Sequence, residues 1–141
     1  MLLKKIKNFL YYCGDKKISW ILKKDLAEAG AKVIIDGSEK EILDFANRPI
    51  SFKELGEYLV EATKEKIEIK EVSKEEFNQF IKETDISKTG SYLSTAYQDY
   101  LIKGNNGEEN GTVDDLENIL QHPVTNYSES IKYLFEHEKP L

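Results

Sequence analysis

The sequence contains few of the residue types that build disulfides and metal sites. Cys13 is the single cysteine, so the chain cannot form an internal disulfide. The two histidines, His122 and His137, lie apart and belong to no HExxH or CxxC pattern. We therefore predict no metal site, and no set of serine, histidine and aspartate suggests nucleophilic catalysis.

Phosphate-binding loops and concentrated positive charge are also missing. No GxGxxG or GxxxxGK[ST] loop occurs, so no segment of the sequence is suited to hold a nucleotide phosphate. The formal net charge is -6, from 20 cations against 26 anions. Nucleic-acid binding needs a concentrated basic surface, and we therefore expect no nucleic-acid partner.

Long apolar runs are absent from the N-terminal segment MLLKKIKNFLYY and its continuation. The apolar run from Phe9 to Cys13 is too short for the core of a signal peptide or for a membrane span. We predict a cytoplasmic protein that does not contact a membrane.

The composition that remains is typical of a globular domain with a core. The chain has 141 residues, of which 40% are hydrophobic and 33% are charged. We predict a single domain over 1–141, with an N-terminal helix at 1–12, an α/β core at 13–87 and C-terminal helices at 88–141.

Periodic patterns predict the elements of this domain. Alternating residues favour strands at 17–21 and 66–72, and 41–47 is a further candidate strand. Ser51 with Glu54, and Ser73 with Glu76, form capping boxes that start helices. The fold class is α/β, a small sheet of about three short strands covered by five or six helices.

Helical spacing also predicts the elements near both ends of the chain. Helices are expected at 89–103, from Thr112 with Asp115, and from Asn126 with Glu129. Asp25 opens a helix with small residues on one face, which would let it lie close to a sheet; we expect its carboxylate to accept backbone N–H bonds there.

Two local patterns could carry chemistry, and both have simpler interpretations. Tyr12 and Lys16 match the Tyr-x-x-x-Lys spacing of short-chain dehydrogenases, but Gly14 and Asp15 between them indicate a turn rather than one helix face. Arg48 could clamp an anion, but a surface turn is the better interpretation. We assign no catalytic residue.

Aromatic side chains with polar tips are the remaining candidates for a small-molecule pocket. For each one alone, core or rim packing is the better interpretation, but across the set we expect at least one pocket contact. The candidates are Tyr11, Tyr12, Trp20, Tyr92, Tyr97 and Tyr100.

Several segments, in order along the chain, resemble NmrA-like proteins, which are atypical short-chain dehydrogenase/reductases. GDKKISWILKKDLAEAGAKVI resembles the start of the family's substrate-binding half, with Lys24 where arginine is commoner. The family's later helices and strand are similar to two further segments, RPISFKELGEYLVEATKEKIEIKEVSKEEFNQFI and TVDDLENILQHPVTNYSESIKYLFEH. Gln121 and His122 replace the usual glycine.

The resemblance implies the C-terminal, substrate-binding lobe of an NAD(P)-dependent oxidoreductase or redox sensor, without its N-terminal Rossmann half. In the family about half the chain, including the glycine-rich loop, precedes this lobe. It implies a small apolar or quinone-like ligand, no cofactor bound by this chain, and no catalysis by the lobe alone. The alternatives are a module that completes an oxidoreductase by docking a separate Rossmann chain, and a degenerate fragment without function.

A severed lobe would expose an apolar face, which suggests self-association. The N-terminal segment carries apolar residues at helical spacing, namely Leu2, Leu3, Ile6, Phe9 and Leu10. We expect a homodimer or larger homo-oligomer formed through this helix and the aromatic face around Trp20.

Overall fold

The computed structural model describes residues 7–104 and 107–137, and this part of the chain has the predicted α/β fold. Four short strands and six α-helices follow one another along it. The strands are β1 (Asn8–Tyr11), β2 (Lys17–Ile18), β3 (Ile50–Ser51) and β4 (Glu68–Glu71). The helices are α1 (Lys23–Asp36), α2 (Phe52–Thr63), α3 (Lys74–Lys82), α4 (Lys88–Lys103), α5 (Asp114–Leu120) and α6 (Tyr127–His137). A 3-10 turn, Glu108–Asn110, precedes α5.

The strands form two separate pairs among the described residues. β1 runs parallel to β4, with Asn8 opposite Glu68, and β2 runs antiparallel to β3, with Ile18 opposite Ile50. The strand predicted at 17–21 is therefore paired only over its first two residues, and that predicted at 66–72 is paired at Glu68–Glu71.

The helix predicted at 1–12 is wrong for Asn8–Tyr11, which form β1. Alternate side chains of this strand face the core: the Phe9 ring stacks with Phe52 at 6.4 Å, and Tyr11 is buried. Parallel pairing with β4 provides hydrogen-bond partners for the backbone of β1. A helix as short as this segment would be only marginally stable by itself. Residues 1–6 lie outside the described residues, and the division into domains stays a prediction.

The strand predicted at 41–47 is also wrong, because this segment is irregular. Its backbone bonds to side chains instead of to a neighbouring strand. The N–H of Asp44 donates to Asp115 Oδ2 at 3.0 Å, and the N–H of Asn47 donates to Ser19 Oγ at 2.8 Å. Side chains distant in sequence thus replace the ladder that a strand would need.

Both predicted capping boxes are confirmed. The Glu54 N–H donates to Ser51 Oγ at 3.2 Å, and the Ser51 N–H donates to Glu54 Oε2 at 2.8 Å. Ser73 and Glu76 make the equivalent pair of bonds. Two of the free N–H groups at each helix start are therefore satisfied.

The starts of α5 and α6 agree only partly with the sequence patterns. Asn126 caps α6 as expected, since its Oδ1 accepts from the Glu129 N–H at 2.9 Å. α5 instead begins at Asp114, because the Thr112 hydroxyl donates to the Asp114 side chain and Asp115 accepts from Asp44.

Asp25 does not cap α1, contrary to our expectation. It lies inside the first turn, after Leu22 at the N-cap position. Its carboxylate is 2% exposed and accepts from the N–H and the hydroxyl of Thr125, at 2.8 and 2.9 Å. Asp25 therefore ties α1 to the segment that leads into α6.

Two buried clusters make the core. One contains Tyr11, Cys13, Ile18 and Leu101, and joins the strands to α4. The other contains Ala29, Leu116 and Leu120, which pack α1 on α5. The small-residue face of α1 thus contacts helix α5, whereas we had expected it to contact a sheet. None of the described helices combines the length and the apolar character needed to cross a membrane.

Candidate ligand-binding face on helix α4

Helix α4 presents one face to the core and an aromatic face to the outside. It begins after Ser87, whose Oγ accepts from the Gly90 N–H at 3.0 Å, and it ends at Gly104, where φ is +71°. Gln98 and Leu101 are buried at 1% exposure. The outer side carries Tyr92, Ala96 and Tyr100, and Tyr97 lies at its border, one turn before the buried Leu101; we call these four residues the α4 face. The exposed fractions of its tyrosines are 71% for Tyr92, 44% for Tyr97 and 49% for Tyr100.

A groove of about 370 Å³ lies along this helix. We call it the α4 groove. Its lining residues are Tyr92, Thr95, Ala96, Asp99, Tyr100 and Lys103. The groove thus has aromatic and aliphatic sides, with one carboxylate and one ammonium group at the rim.

A buried amide fixes α4 against the end of β1. The Tyr12 backbone N–H donates to Gln98 Oε1 at 2.7 Å, and Gln98 Nε2 donates to the Ser94 carbonyl at 3.2 Å. Each polar atom of the Gln98 amide therefore has a partner, which buried amides require.

The Tyr12 hydroxyl lies beside the groove. It is 2.9 Å from both the Thr95 carbonyl and Asp99 Oδ1, two acceptors for its single proton. Lys74 Nζ donates to the other oxygen, Asp99 Oδ2, at 2.8 Å. Asp99 thus joins β1, α3 and α4.

These contacts shift the pKa values of Asp99 and Tyr12 in opposite directions. The bond from Lys74, with a further bond from Tyr12, lowers the pKa of Asp99 below its usual value of 3.8. Burial, reinforced by Asp99, raises the pKa of the Tyr12 hydroxyl. Tyr12 therefore keeps its proton at neutral pH and gives it less readily than an ordinary tyrosine.

The Tyr-x-x-x-Lys spacing at Tyr12 and Lys16 is accidental, as its simpler interpretation implied. Residues 13–15 form a turn, in which Gly14 has φ of +64°. The two side chains do not share a helix face, so Lys16 is not placed one helical turn above the tyrosine.

Trp20 links the α4 face to the rest of the molecule. Its ring lies 6.0 Å from that of Tyr97 and 6.1 Å, edge-on, from that of Phe52. Its backbone N–H donates to the Tyr127 hydroxyl at 3.3 Å. The indole Nε1 is buried without a hydrogen-bond partner among the described residues, which is an uncommon state for a buried donor.

Arg48 forms contacts within the chain. Its guanidinium donates to Glu54 Oε1 at 3.3 Å and to the Tyr58 hydroxyl at 2.9 Å. Its carbonyl accepts from the Tyr127 hydroxyl at 2.7 Å. The side chain is exposed and fits the interpretation as a surface turn.

The structure separates the six aromatic candidates into three groups. Tyr92 and Tyr100 line the α4 groove, and Tyr12 contacts two of its lining residues. Trp20 and Tyr97 form a neighbouring ring pair. Tyr11 is buried in the core and does not border the groove. Whether any of them binds a ligand stays a prediction.

Sequence reasoning missed Asp99, Lys74 and Gln98. Only the helical spacing of Ser94, Gln98 and Leu101 could have indicated a buried amide on α4. The partner of Asp99 is Tyr12, far away in the chain, and no local pattern marks that pair.

The α4 groove is lined by aromatic, aliphatic and charged side chains, all of them on α4. Its described lining contains no histidine, cysteine or serine, and the described residues include no cluster that could hold a metal ion. Exposed aromatic rings beside a few polar groups can contact the face of a flat, apolar molecule.

The sequence matches no protein-family model and no curated protein sequence. Solved structures do match. A triphenylmethane reductase from Citrobacter sp. in complex with NADP(H) is 24% identical with a TM-score of 0.71, and the match covers 89% of this chain and 43% of that one. For an NADPH-dependent quinone oxidoreductase from Escherichia coli the identity is 21% and the TM-score 0.64, covering 91% and 46%.

A third match is a nucleoside-diphosphate-sugar epimerase from Staphylococcus aureus, 22% identical with a TM-score of 0.59, covering 89% of this chain and 43% of that one. At these identities the likeness concerns the fold. The chain therefore has the fold of part of these reductases and epimerases, and it spans less than half of their length.

Proposed function

We propose that this chain is the substrate-binding lobe of an NmrA-like, NAD(P)H-dependent oxidoreductase, and that it binds a flat apolar or quinone-like compound at the α4 groove. The observation that carries the proposal is the α4 face, where three tyrosines of one helix are 44% to 71% exposed. The fold shared with reductases supports the reaction class.

The chemistry of the groove suits such a ligand. Tyr92 and Tyr100 offer ring faces or edges to a planar molecule, and contacts between rings contribute about 0.5–1.5 kcal/mol beyond the burial of their area. Lys103 at the rim supplies a donor for a carbonyl oxygen of the ligand.

The lobe by itself would not catalyse the reaction. Reduction needs a hydride donor, which amino-acid side chains do not supply, and burial raises the pKa of Tyr12, the hydroxyl beside the groove. The dinucleotide would be bound by a separate Rossmann segment, and this chain would orient the acceptor.

A second candidate is a docking module that completes an oxidoreductase in trans. Leu93 is exposed beside Tyr92 and Tyr97 on α4, which widens the apolar face beyond what a small ligand would cover. A Rossmann chain or a second copy of this chain would bury that surface. The homodimer remains part of this proposal, with the α4 face in place of the N-terminal helix.

Trp20 provides the test, because it is the single tryptophan and its ring lies next to Tyr97. Duroquinone, a quinone without reactive ring positions, is added while tryptophan fluorescence is recorded. We expect saturable quenching, and Tyr92→Ala and Tyr100→Ala should each weaken binding by about three- to tenfold, the value of one ring contact.

Tyr133→Ala on α6 is the matched control, since Tyr133 stacks with His137 and not with the α4 face. It should bind duroquinone as the wild type does. Quenching that never saturates, or that is the same in all three variants, would contradict the ligand site. Sedimentation of the same proteins then separates a monomer from a self-associating module.

A further inference from the structure

A second groove lies on the other side of the segment that carries Trp20. Ser19 and Ile21 flank Trp20 in the sequence and line this groove, whereas Trp20 itself contacts Phe52 and Tyr97. The groove measures about 570 Å³ and runs between residues 44–46 and 107–112. We call it the Ser19 groove. Its volume lies within the usual range of small-molecule sites, about 300–1,000 Å³.

Hydrogen bonds hold both walls of the Ser19 groove in place. The Ser19 N–H donates to Glu108 Oε2 at 3.0 Å, which fastens the 107–112 wall. Two bonds fasten the 44–46 wall. Ser19 Oγ accepts from the Asn47 N–H at 2.8 Å, and the Asp44 N–H donates to Asp115 Oδ2 at 3.0 Å. The groove is therefore formed before any ligand arrives, and binding would need little ordering of the chain.

Close backbone packing joins the two walls at one point. A Cβ built on Gly111 would lie 2.9 Å from the Cβ of Ala46, closer than real Cβ atoms approach. Only glycine lets the 107–112 wall come this near to the 44–46 wall. This contact fixes the spacing of the walls.

The lining combines apolar side chains with acceptors and no positive charge. Ile21, Phe45 and Ala46 supply the apolar surface. Asp44 and Glu108 are the acidic residues of the lining, of which Glu108 already accepts from Ser19, and none of the described lining residues is a lysine or an arginine. Lys40 lies close enough to Asp44 for an electrostatic interaction, and its ammonium group pairs with Asp115.

We propose that the Ser19 groove binds a small organic cation with an apolar body, such as an aryl- or alkylammonium compound. The body lies on Phe45 and Ile21, and the cationic group is directed to the exposed Asp44 carboxylate. This site is distinct from the α4 groove, so the proposal goes beyond the function proposed above and does not depend on it.

Three probes with the same ring and different charge test the proposal: benzylammonium, benzyl alcohol and benzoate. Backbone amide NMR spectra of the full chain are recorded during each titration. Benzylammonium should shift Phe45, Ala46 and Gly111 saturably, with a dissociation constant on the order of 1 mM, as expected for so small a ligand. Benzyl alcohol should bind more weakly and benzoate not at all.

Asp44→Asn should weaken benzylammonium binding by about three- to tenfold and leave benzyl alcohol unchanged, because it removes a charge and keeps the shape. Glu39→Gln, which changes the same charge on the same exposed segment but lies outside the lining, should bind as the wild type does. The proposal is overturned by equal binding of the three probes, by shifts located elsewhere, by the same loss in Glu39→Gln, or by the absence of saturable shifts.

Discussion

The buried carboxylate of Asp25 is expected to matter for stability. It accepts two hydrogen bonds from Thr125, and its removal would leave that N–H and hydroxyl unpaired in a buried place. We expect Asp25→Ala to lower the free energy of unfolding by about 3 kcal/mol, which corresponds to a melting temperature roughly 10 °C lower. Differential scanning calorimetry measures both.

Thr125→Ser is the matched control, because serine keeps the N–H and the hydroxyl that Asp25 accepts. Its melting temperature should stay close to that of the wild type. An Asp25→Ala protein that melts like the wild type but no longer binds duroquinone would place Asp25 in a ligand site instead of in the framework.

His122 is expected to titrate above its ordinary value. Nδ1 donates to the Pro123 carbonyl at 2.8 Å, and Nε2 lies 3.0 Å from Glu28 Oε1, so the protonated ring satisfies both contacts. The bond to Pro123, followed by that to Glu28, raises the pKa of His122 above 6.5. NMR titration of the ring protons measures this pKa.

The sign of the stability effect follows from the raised pKa. The contribution of His122 is fully present below its unfolded pKa and is lost as pH rises through the higher, folded pKa. Glu28→Gln should lower the pKa of His122. Asp36→Asn should leave the pKa of His122 unchanged. Asp36 lies two turns beyond Glu28 along α1, farther than the screening length of about 10 Å at 0.1 M salt. Equal shifts in both variants would contradict the contact with Glu28.

At the scale of the elements, two helical glycines should respond to alanine in opposite ways. A Cβ on Gly56 in α2 would lie 2.9 Å from Phe9 Cδ1 and 3.1 Å from two Ile69 carbons, whereas a Cβ on Gly30 in α1 would have no neighbour within 4 Å. Gly30→Ala should stabilise the fold by up to about 1 kcal/mol through helix propensity.

Gly56→Ala should destabilise the fold by about 1–2 kcal/mol, because the overpacking cost of roughly 1–3 kcal/mol exceeds the gain in propensity. Urea denaturation measures both changes, and each variant serves as the control for the other. Midpoints that move in the same direction would show that α2 does not pack on β1 and β4 as closely as described.

The accuracy of the sequence predictions depended on how local the determining contacts are. The capping boxes and the span of α4 were predictable, because residues within one or two turns decide them. The strand at Asn8–Tyr11 was not predictable, because its short apolar run suits a helix as well as a strand. Its pairing partner, β4, lies far away in the sequence. Tyr92 and Tyr100 were predictable as candidates, whereas Asp99 joined them only through contacts with Tyr12 and Lys74.

At the scale of the whole molecule, we expect the chain alone to bind neither NADH nor NADPH. The sequence contains no glycine-rich phosphate-binding loop, and a dinucleotide site of the Rossmann kind requires one. Titration calorimetry at millimolar dinucleotide is the measurement. A blank titration without protein is the control, and saturable micromolar binding would refute the view of this chain as a cofactor-free lobe.

The parallel pairing of β1 with β4 has a consequence for synthesis on the ribosome. Asn8 pairs opposite Glu68, so β1 leaves the ribosome well before its partner exists. At about 5–20 residues per second, that interval is roughly 3–12 s. During this time the edge of β1 is unpaired, and the ring of Phe9 has no native ring contact until Phe52 has been made. The nascent chain is therefore most open to mispairing or to a chaperone while α1 and α2 are being made, and the bond from Thr125 to Asp25 forms only after Thr125 has been made.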